Sequence, residues 1–526
     1  MSDAVDRGIT VTEIASIDHP IDVYPETTAA FVGRALRGPL NTPVQVKNFG
    51  EFRRTFGDVW SRSSLGPAVR QFFEHGGQDL YVVRVANNAR GALLCLPASG
   101  SALVLRAVDP GSTERVRASV DYDGIDTADN ERFNLTLQRI DPATGLVVDQ
   151  EIYSRLSYLG GAETFVGDAL LGSRVARVEQ PYPQHRPERT TRGSSRYDLT
   201  WVEAVQPGTD GNELSDYDVI GSRKEATALF ALEQLCHFDL LYLPPPGKGR
   251  DTGPAAILAA EMYCRQRGAM LIVDPSERWK TTRDAIGGVR SLGMASPNLI
   301  TYFPRLFERR EHGSAAQRPA GFAAAVVAGG ALAGLISKLD RNFGPWHELD
   351  GDTLSFKSSL IPCAEIDEDE AYTLARAGIN AIIRNSARRV VLTGSVTMAR
   401  GSESHRVFKS LPVRRLCLRV VNTVNLATRW AVFEKPDKKL NARIRGQILA
   451  YLSSLYEMGA LANDHFVVQC DAGLSNRDDR LEHGVTLLLV FQPLGSAIPV
   501  SFTVHQTVLG CRVASTAFAP VAERCA

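Results

Sequence analysis

The sequence predicts a multidomain α/β protein, and three patterns along the chain support this fold class. Strand-like and helix-like segments alternate after residue 226, which predicts a central α/β layered domain. Short alternating apolar runs fill residues 91–200 and predict an inserted β-rich region. A long amphipathic helix followed by further strands predicts a C-terminal α+β domain. A chain of 526 residues with 44% hydrophobic content can form two to four domains of about 150 residues each.

The N-terminal segments predict a short strand on an extended arm, followed by the first elements of the central layer. Ile9 and Val11 alternate with threonines, and this run ends at Ile14 before two prolines. The following segment, TTAAFVGRALRGPLNTPVQV, predicts a strand, a Gly-Pro turn and a second strand. FGEFRRTFG then predicts a helix that stops at Gly57. An amphipathic helix over residues 65–73 and a buried strand over residues 80–85 complete this part.

The β-rich region and the α/β layer differ in the spacing of their apolar residues. In the first, polar turns separate the runs ALVLRAV, RVRASVDY, RFNLTLQRI and LVVDQEIYSRLS. In the second, the strands DLLYLP, AMLIVDP and NLITYFP alternate with helical segments, which predicts a mostly parallel sheet. Residues 319–336 are uncharged but mostly Ala and Gly, so a close-packed buried helix is favoured over a membrane span.

The strand ends of a parallel sheet are where an enzyme of this class would carry its active site. Asp274, after the second of these strands, is a candidate carboxylate, but such a residue before proline more often caps the next turn. The glycine-rich segment 246–253 lacks the spacing of a phosphate-binding loop, and no GxSxG motif occurs. We therefore predict no catalytic residues and no cofactor.

Composition excludes several other functions. The eight cysteines are dispersed without a CxxC pair or neighbouring ligands, so we expect free thiols and no metal site. Lys plus Arg and Asp plus Glu each number 59, which gives no global case for a nucleic-acid or membrane-surface partner. The N-terminus lacks an apolar signal segment, and we expect cytoplasmic synthesis.

Positive charge nevertheless concentrates in one region. Between residues 405 and 445, eleven lysines and arginines face only Glu434 and Asp437, a local charge of +9. Two interpretations remain open: an acidic partner surface, or a solvated face with acidic partners in the same chain. Nucleic acid is disfavoured because no recognised binding motif accompanies the cluster.

The basic region contains a helix predicted over residues 438–458. Asp437 can cap it and Gly459 can end it. An apolar stripe runs along one side, with Arg443 and Arg445 on opposite flanks of the stripe. The stripe consists of Leu440, Ile444, Ile448, Leu452 and Leu455.

The last strongly alternating segment predicts an edge strand over residues 499–508. One face carries Val500, Phe502, Val504 and Val508, and the other carries polar side chains. An edge strand near a chain end can pair with another chain as readily as with its own. This segment therefore favours assembly over catalysis.

Taken in order, these segments resemble the sheath proteins of contractile phage tails, tailocins and extracellular contractile injection systems. The resemblance extends through most of the chain. It is carried by TAAFVGRALRGPLNTPVQVKNFGEFRRTFG and LGPAVRQFFEHGGQDLYVVRV, by ALVLRAVDPG, ERFNLTLQRI and EIYSRLS, by DLLYLPPPG, AAEMYCRQRGAMLIVDP, AGLISKLDRNFGPW and AGINAIIR, and by ATRWAVFEKPDKKLNARIRGQILAYLSSLYEMGAL.

The resemblance implies a structural subunit that polymerises as stacked sixfold rings around an inner tube and contracts to drive that tube through a target envelope. It implies exchanged terminal strands, donated to neighbouring subunits by Ile9, Val11 and Ile14 at one end and by Val500, Phe502, Val504 and Val508 at the other. Lys438, Arg443 and Arg445 would contact the inner tube. The implied domains are an arm (1–25), a central α/β domain (26–90 and 216–404), an inserted outer β-rich domain (91–215) and a C-terminal sheath domain (405–526).

The implied partners are further copies of the chain, the inner tube, and the baseplate and terminal cap proteins, with sibling sheath subunits as another candidate. Assembly would occur in the cytoplasm, within a phage tail or an injection particle that is later released. Two alternatives are a baseplate or cap relative that shares the fold, and a cytosolic α/β enzyme.

Overall fold

The structure of the protein is a computed structural model that describes residues 21, 26–190, 200–247, 249–308, 325–349, 354–400, 407–434, 438–470, 484–507 and 510–517. The described residues form two compact units. The larger unit contains Glu26–Phe343 and His347–Gly401. The smaller unit contains Ile21, Gly344–Trp346 and the described residues from 407 onward.

The first elements of the larger unit follow the sequence prediction closely. They are β1 (Thr28–Gly33), β2 (Val44–Val46), α1 (Phe49–Phe56), α2 (Leu65–Glu74) and β3 (Asp79–Arg84). The Asn48 side chain caps α1 by accepting from the Glu51 backbone N–H, and Gly57 ends the helix with φ 86°. All six residues of β1 are buried, which places this strand inside the sheet.

The β-rich region folds into two antiparallel sheets around a shared apolar core. One sheet has the strand order β10-β6-β7-β8 and the other β4-β5-β9. Leu105, Val120 and Phe133 are among the core side chains contributed by the two sheets. The elements are β4 (Leu93–Ala98), β5 (Ser101–Ala107), β6 (Arg115–Asp121), β7 (Arg132–Ile140), β8 (Val147–Ser157), the short helix α3 (Val166–Ala169), β9 (Ala176–Glu179) and β10 (Val202–Glu203).

The remaining elements of the larger unit complete an eight-stranded sheet of order β17-β16-β13-β12-β11-β1-β3-β2. Pairing is parallel from β3 to β16, while β2 and β17 are antiparallel to their neighbours. The elements are α4 (Asp216–Ile220), β11 (Leu240–Tyr242), α5 (Pro254–Arg267), β12 (Met270–Val273), α6 (Thr282–Ser291), β13 (Leu299–Phe303), β14 (Leu306–Glu308), α7 (Gly329–Phe343), β15 (Leu360–Pro362), α8 (Glu368–Arg376), β16 (Asn380–Arg384) and β17 (Val390–Thr393).

Helix α7 begins at Gly329, within the Ala- and Gly-rich segment predicted as a buried helix over residues 319–336, and most of its residues are buried. Residues 325–328 are not helical, and residues 319–324 lie outside the described residues. The glycines of α7 allow close packing: a Cβ at Gly330 would lie 2.2 Å from the Ala68 carbonyl oxygen, and one at Gly329 would lie 2.1 Å from the Tyr242 ring. Within the described part of the chain, no helix is long and apolar enough to cross a membrane.

The smaller unit combines two long helices with one antiparallel sheet of order β18-β19-β20-β21. Its core joins the predicted stripe of α10 to apolar side chains of the strands, including Leu487, Leu489 and Phe502. The elements are α9 (Leu411–Ala427), α10 (Lys438–Glu457), β18 (Val467–Cys470), β19 (Gly484–Phe491), β20 (Val500–Thr507) and β21 (Gly510–Ala517).

One sequence prediction about this sheet is wrong. The segment 499–508 was expected at the sheet edge, but β20 is paired with β19 on one side and with β21 on the other. The alternation itself is as predicted, since Val500, Phe502 and Val504 all lie in the core. Ser501 and His505 on the opposite face are also buried, which an exposed edge strand would not require. The mixed α/β class is confirmed.

We predict that Gly330→Ala lowers the free energy of unfolding by about 2 kcal/mol, because the added methyl group meets the Ala68 backbone. Chemical denaturation would measure this loss. Gly287→Ala in α6 is the matched control: nothing lies within 4 Å of its Cβ position, so this variant should be up to about 1 kcal/mol more stable. Equal effects of the two substitutions would contradict close packing at α7.

Candidate functional site

Helix α10 divides sharply into a buried side and an exposed side. The predicted stripe is between 0% and 6% exposed, from Leu440 to Leu455. Outside the stripe, the helix exposes Lys438, Lys439 and Arg445. Gly459, with φ 75°, follows the end of the helix, and the Ala460 N–H bonds to the Leu455 carbonyl. One side of the helix is therefore packed in the core, and its exposed surface carries cations.

The three residues predicted to contact an inner tube differ in their surroundings. Arg443 is partly buried, and its guanidinium carbon lies 4.0 Å from the centroid of the Trp430 ring. Its Nε atom is buried without a hydrogen-bond partner. Lys438 and Arg445 are exposed. The stacking on Trp430 gives Arg443 a structural contact within its own unit, whereas the other two are available to a partner.

The basic cluster is smaller at the surface than the sequence count implies. Arg414 and Arg415 on α9 are only 8% and 6% exposed, and Arg414 lies 4.7 Å from the centroid of Phe408. Desolvation lowers the pKa of Arg414 to about 10, so it stays charged at neutral pH. Arg406 and Lys435 lie outside the described residues. Among the described residues between 407 and 445, the exposed cations are Arg429, Lys438, Lys439 and Arg445.

Strand β20 ties the sheet to the end of α9 through Gln506. The Gln506 side-chain amide donates to the Asn425 carbonyl at 2.7 Å and to the Thr428 hydroxyl at 2.7 Å. His505, on the other face, shares a 2.7 Å hydrogen bond with Thr486. These buried contacts make β20 a strand of the folded core.

The available edges of this sheet belong to its two outer strands. Strand β18 has four residues, and β21 has eight. In the described part of the chain, no strand pairs with the outer edge of β21, where Val513 is 47% exposed. Such an edge is the kind of surface that accepts or donates a strand. Val508 and the predicted N-terminal residues Ile9, Val11 and Ile14 lie outside the described residues.

Asp274, the carboxylate considered for catalysis, has a structural role in the described fold. Its Oδ1 accepts from the Gly329 N–H at 3.1 Å, at the start of α7, and its Oδ2 accepts from the Tyr242 hydroxyl at 2.5 Å. Burial raises the pKa of Asp274 to about 6. Among the residues that the structure describes, no group of three His, Cys, Asp or Glu side chains could hold a metal ion.

Comparison with solved structures identifies the class of this fold. A tail sheath protein of Listeria innocua superposes with a TM-score of 0.58 at 12% identity, over 92% of this chain and 95% of that chain. The contracted helical sheath of the anti-feeding prophage gives 0.54 at 14% identity, over 94% and 97%. A chain of the 6-fold symmetrised baseplate of that prophage gives 0.51 at 14% identity, over 99% and 97%.

No protein-family model and no curated protein matches the sequence. The similarity is therefore one of fold, and it extends over nearly the full length of both chains. The protein has the fold of contractile tail sheath proteins, as the sequence resemblance implies. Of these neighbours, one is a sheath tail protein and another is a helical sheath in its contracted state.

We predict that Asp274→Asn changes how stability depends on pH. The folded pKa of about 6 lies above the ordinary value of 3.8, so the folded chain retains a proton that the unfolded chain releases. The stability contributed by this proton is fully present below pH 4 and is lost as the pH rises through about 6. Denaturation of both proteins between pH 4 and 7 should show their difference changing in this window. A constant difference would contradict the raised pKa.

Proposed function

We propose that the protein is the subunit of a contractile sheath. It polymerises as stacked sixfold rings around an inner tube and contracts to drive the tube through a target envelope. The observation that carries this proposal is the near full-length similarity to tail sheath proteins, one of them in a contracted sheath. Assembly takes place in the cytoplasm, and the partners are further copies, the inner tube, and the baseplate and cap proteins. Sibling sheath subunits are a further candidate.

The exposed side of α10 is the surface we assign to the inner tube. Lys438 and Arg445 point away from the core, and an acidic tube surface would complement them. Arg443 is the weaker of the predicted contacts, because it already stacks on Trp430. Its role is to hold the start of the helix against the preceding segment.

Strand exchange between subunits is better supported at β21 than at β20. Donating β20 would remove Val500, Phe502 and Val504 from the core and break its pairing on both sides. Strand β21 is paired on one side only within the described residues, so its other edge can bond to a neighbouring subunit. Of the N-terminal arm, the structure describes only Ile21, and the predicted strand over residues 9–14 that would complete this exchange lies outside the described residues.

A baseplate protein with the same fold is the second candidate function, favoured by the similarity to a baseplate chain. Polymerisation distinguishes the two candidate functions.

We predict that the purified full-length chain forms hollow, ridged tubes visible by negative-stain electron microscopy. A chain lacking residues 510–526 should remain as folded subunits, because the exchanged edge is gone.

Discrete monomers or single rings from the full-length chain would contradict the sheath function and favour the baseplate candidate. Normal tubes from the shortened chain would leave the sheath function intact and refute exchange at β21. Thermal unfolding of the shortened chain verifies that its loss of assembly does not come from loss of the fold.

We predict that Arg445→Glu reduces co-sedimentation with the inner tube at least tenfold while leaving the melting temperature within about 1 °C, because the side chain is exposed. Arg443→Glu should lower the melting temperature, since it removes the stacking on Trp430. Arg429→Glu makes the same charge change at an exposed position outside α10 and should bind the tube normally. Unchanged tube binding by Arg445→Glu would remove α10 from the interface.

A further inference from the structure

A cleft in the larger unit lies between the end of α1 and the turn that joins β7 to β8. Its volume is about 440 Å³. Leu36, Pro142 and Ala143 supply apolar wall, and three arginines line the same space: Arg37, Arg53 and Arg54. An apolar cavity rimmed by guanidinium groups suits an aromatic side chain accompanied by carboxylates.

The charges of this cleft are incompletely paired. Arg37 approaches Asp141 at 3.5 Å, and Arg53 approaches Asp58 at 3.1 Å. Arg54 is exposed and has no ion-pair partner among the described residues. Both acidic residues that line the cleft, Asp58 and Asp141, are therefore ion-paired, and Arg54 is left to bind an anion from another molecule.

Two buried polar atoms of the cleft residues also lack partners. They are Arg37 Nε, a donor, and Thr113 Oγ1, which can donate or accept. Because both atoms are closed to solvent, they belong to the wall of the cleft and are not contacts for a group that enters it.

The chain carries a matching surface at the start of α8. Residues 367–370 are four consecutive acids. Asp367 and Glu370 form the capping box, whereas Glu368 and Asp369 have no partner among the described residues. Tyr372 is 68% exposed and lies one helical turn further on, on the side of Glu368 and Asp369. An exposed phenol thus stands beside two unpaired carboxylates.

The cleft and the acidic surface lie towards opposite ends of the eight-stranded sheet. Helix α1 follows β2, the last strand at one end, and α8 leads directly into β16, next to the last strand at the other. Six strand spacings of about 4.8 Å separate β2 from β16, or roughly 29 Å. One chain therefore cannot fill its own cleft, and a contact between the two surfaces joins different copies head to tail.

We propose that the start of α8 from a second copy of this chain docks in the cleft. Tyr372 enters between the apolar walls, and the carboxylates of Glu368 and Asp369 approach Arg54. Arg53, which is already paired with Asp58, adds positive charge at the rim. This inference rests on the proposed self-assembling function and names one contact within it. Because the two surfaces differ, the contact is heterologous and can repeat head to tail, either around a ring or along a helical array.

The test is charge reversal on each surface of the full-length chain, with association followed by sedimentation velocity at low salt. Arg53→Glu/Arg54→Glu and Glu368→Lys/Asp369→Lys should each raise the concentration needed for association by about tenfold. The chain with all four substitutions should recover, since its two surfaces are again complementary. An equimolar mixture of the two double variants should also associate, because each cleft then meets an opposite charge.

Arg174→Glu/Arg177→Glu, which reverses two exposed arginines of the β-rich region, is the matched control and should associate normally. Tyr372→Ala should weaken association without changing its salt dependence. If neither double variant changes the concentration needed for association, or if combining the substitutions does not restore association, this contact is refuted. The proposed sheath function would still stand. A wild-type chain that does not self-associate at any concentration would overturn both.

Discussion

The contact on which the smaller unit depends is the packing of the α10 stripe into the core that it shares with the sheet. Ile444, Ile448 and Leu452 are fully buried there. Because these side chains sit on one side of the helix, their burial decides which residues remain outside. The exposed cations of α10 follow from this packing, and so does the surface assigned to the inner tube. If the helix were rotated by one residue position, Arg445 would be buried and the proposed contact with the inner tube would be lost.

The sequence specified this helix well because a stripe at helical spacing leaves little freedom in how the helix lies. It specified β20 poorly, because alternation predicts a strand with one apolar face and cannot tell an edge from a centre. What places β20 in the centre is pairing with residues 510–517 and burial of Ser501 and His505. Both are tertiary facts that no local pattern contains.

The arginines of the smaller unit also show which features the sequence predicts and which only the fold reveals. Arg443 and Arg445 were predicted on opposite flanks, but only the structure shows that Trp430 lies against the first. Arg414 and Arg415 counted toward a charged surface in the sequence, although they are buried. Their apolar neighbours on both sides were the available signal. The net charge of a segment does not show which side chains face solvent. The basic region can therefore be found in the sequence, but its exposed members are known only from the fold.

The larger unit adds a geometric constraint that a mostly parallel sheet imposes on assembly. The two ends of such a sheet differ, because different strands and crossover helices lie at each end. Here one end carries α1 with its arginines, and α8 with its acids lies near the other. Because these two ends differ, the contact proposed between them repeats head to tail. The smaller unit has an apolar core of its own, separate from that of the eight-stranded sheet.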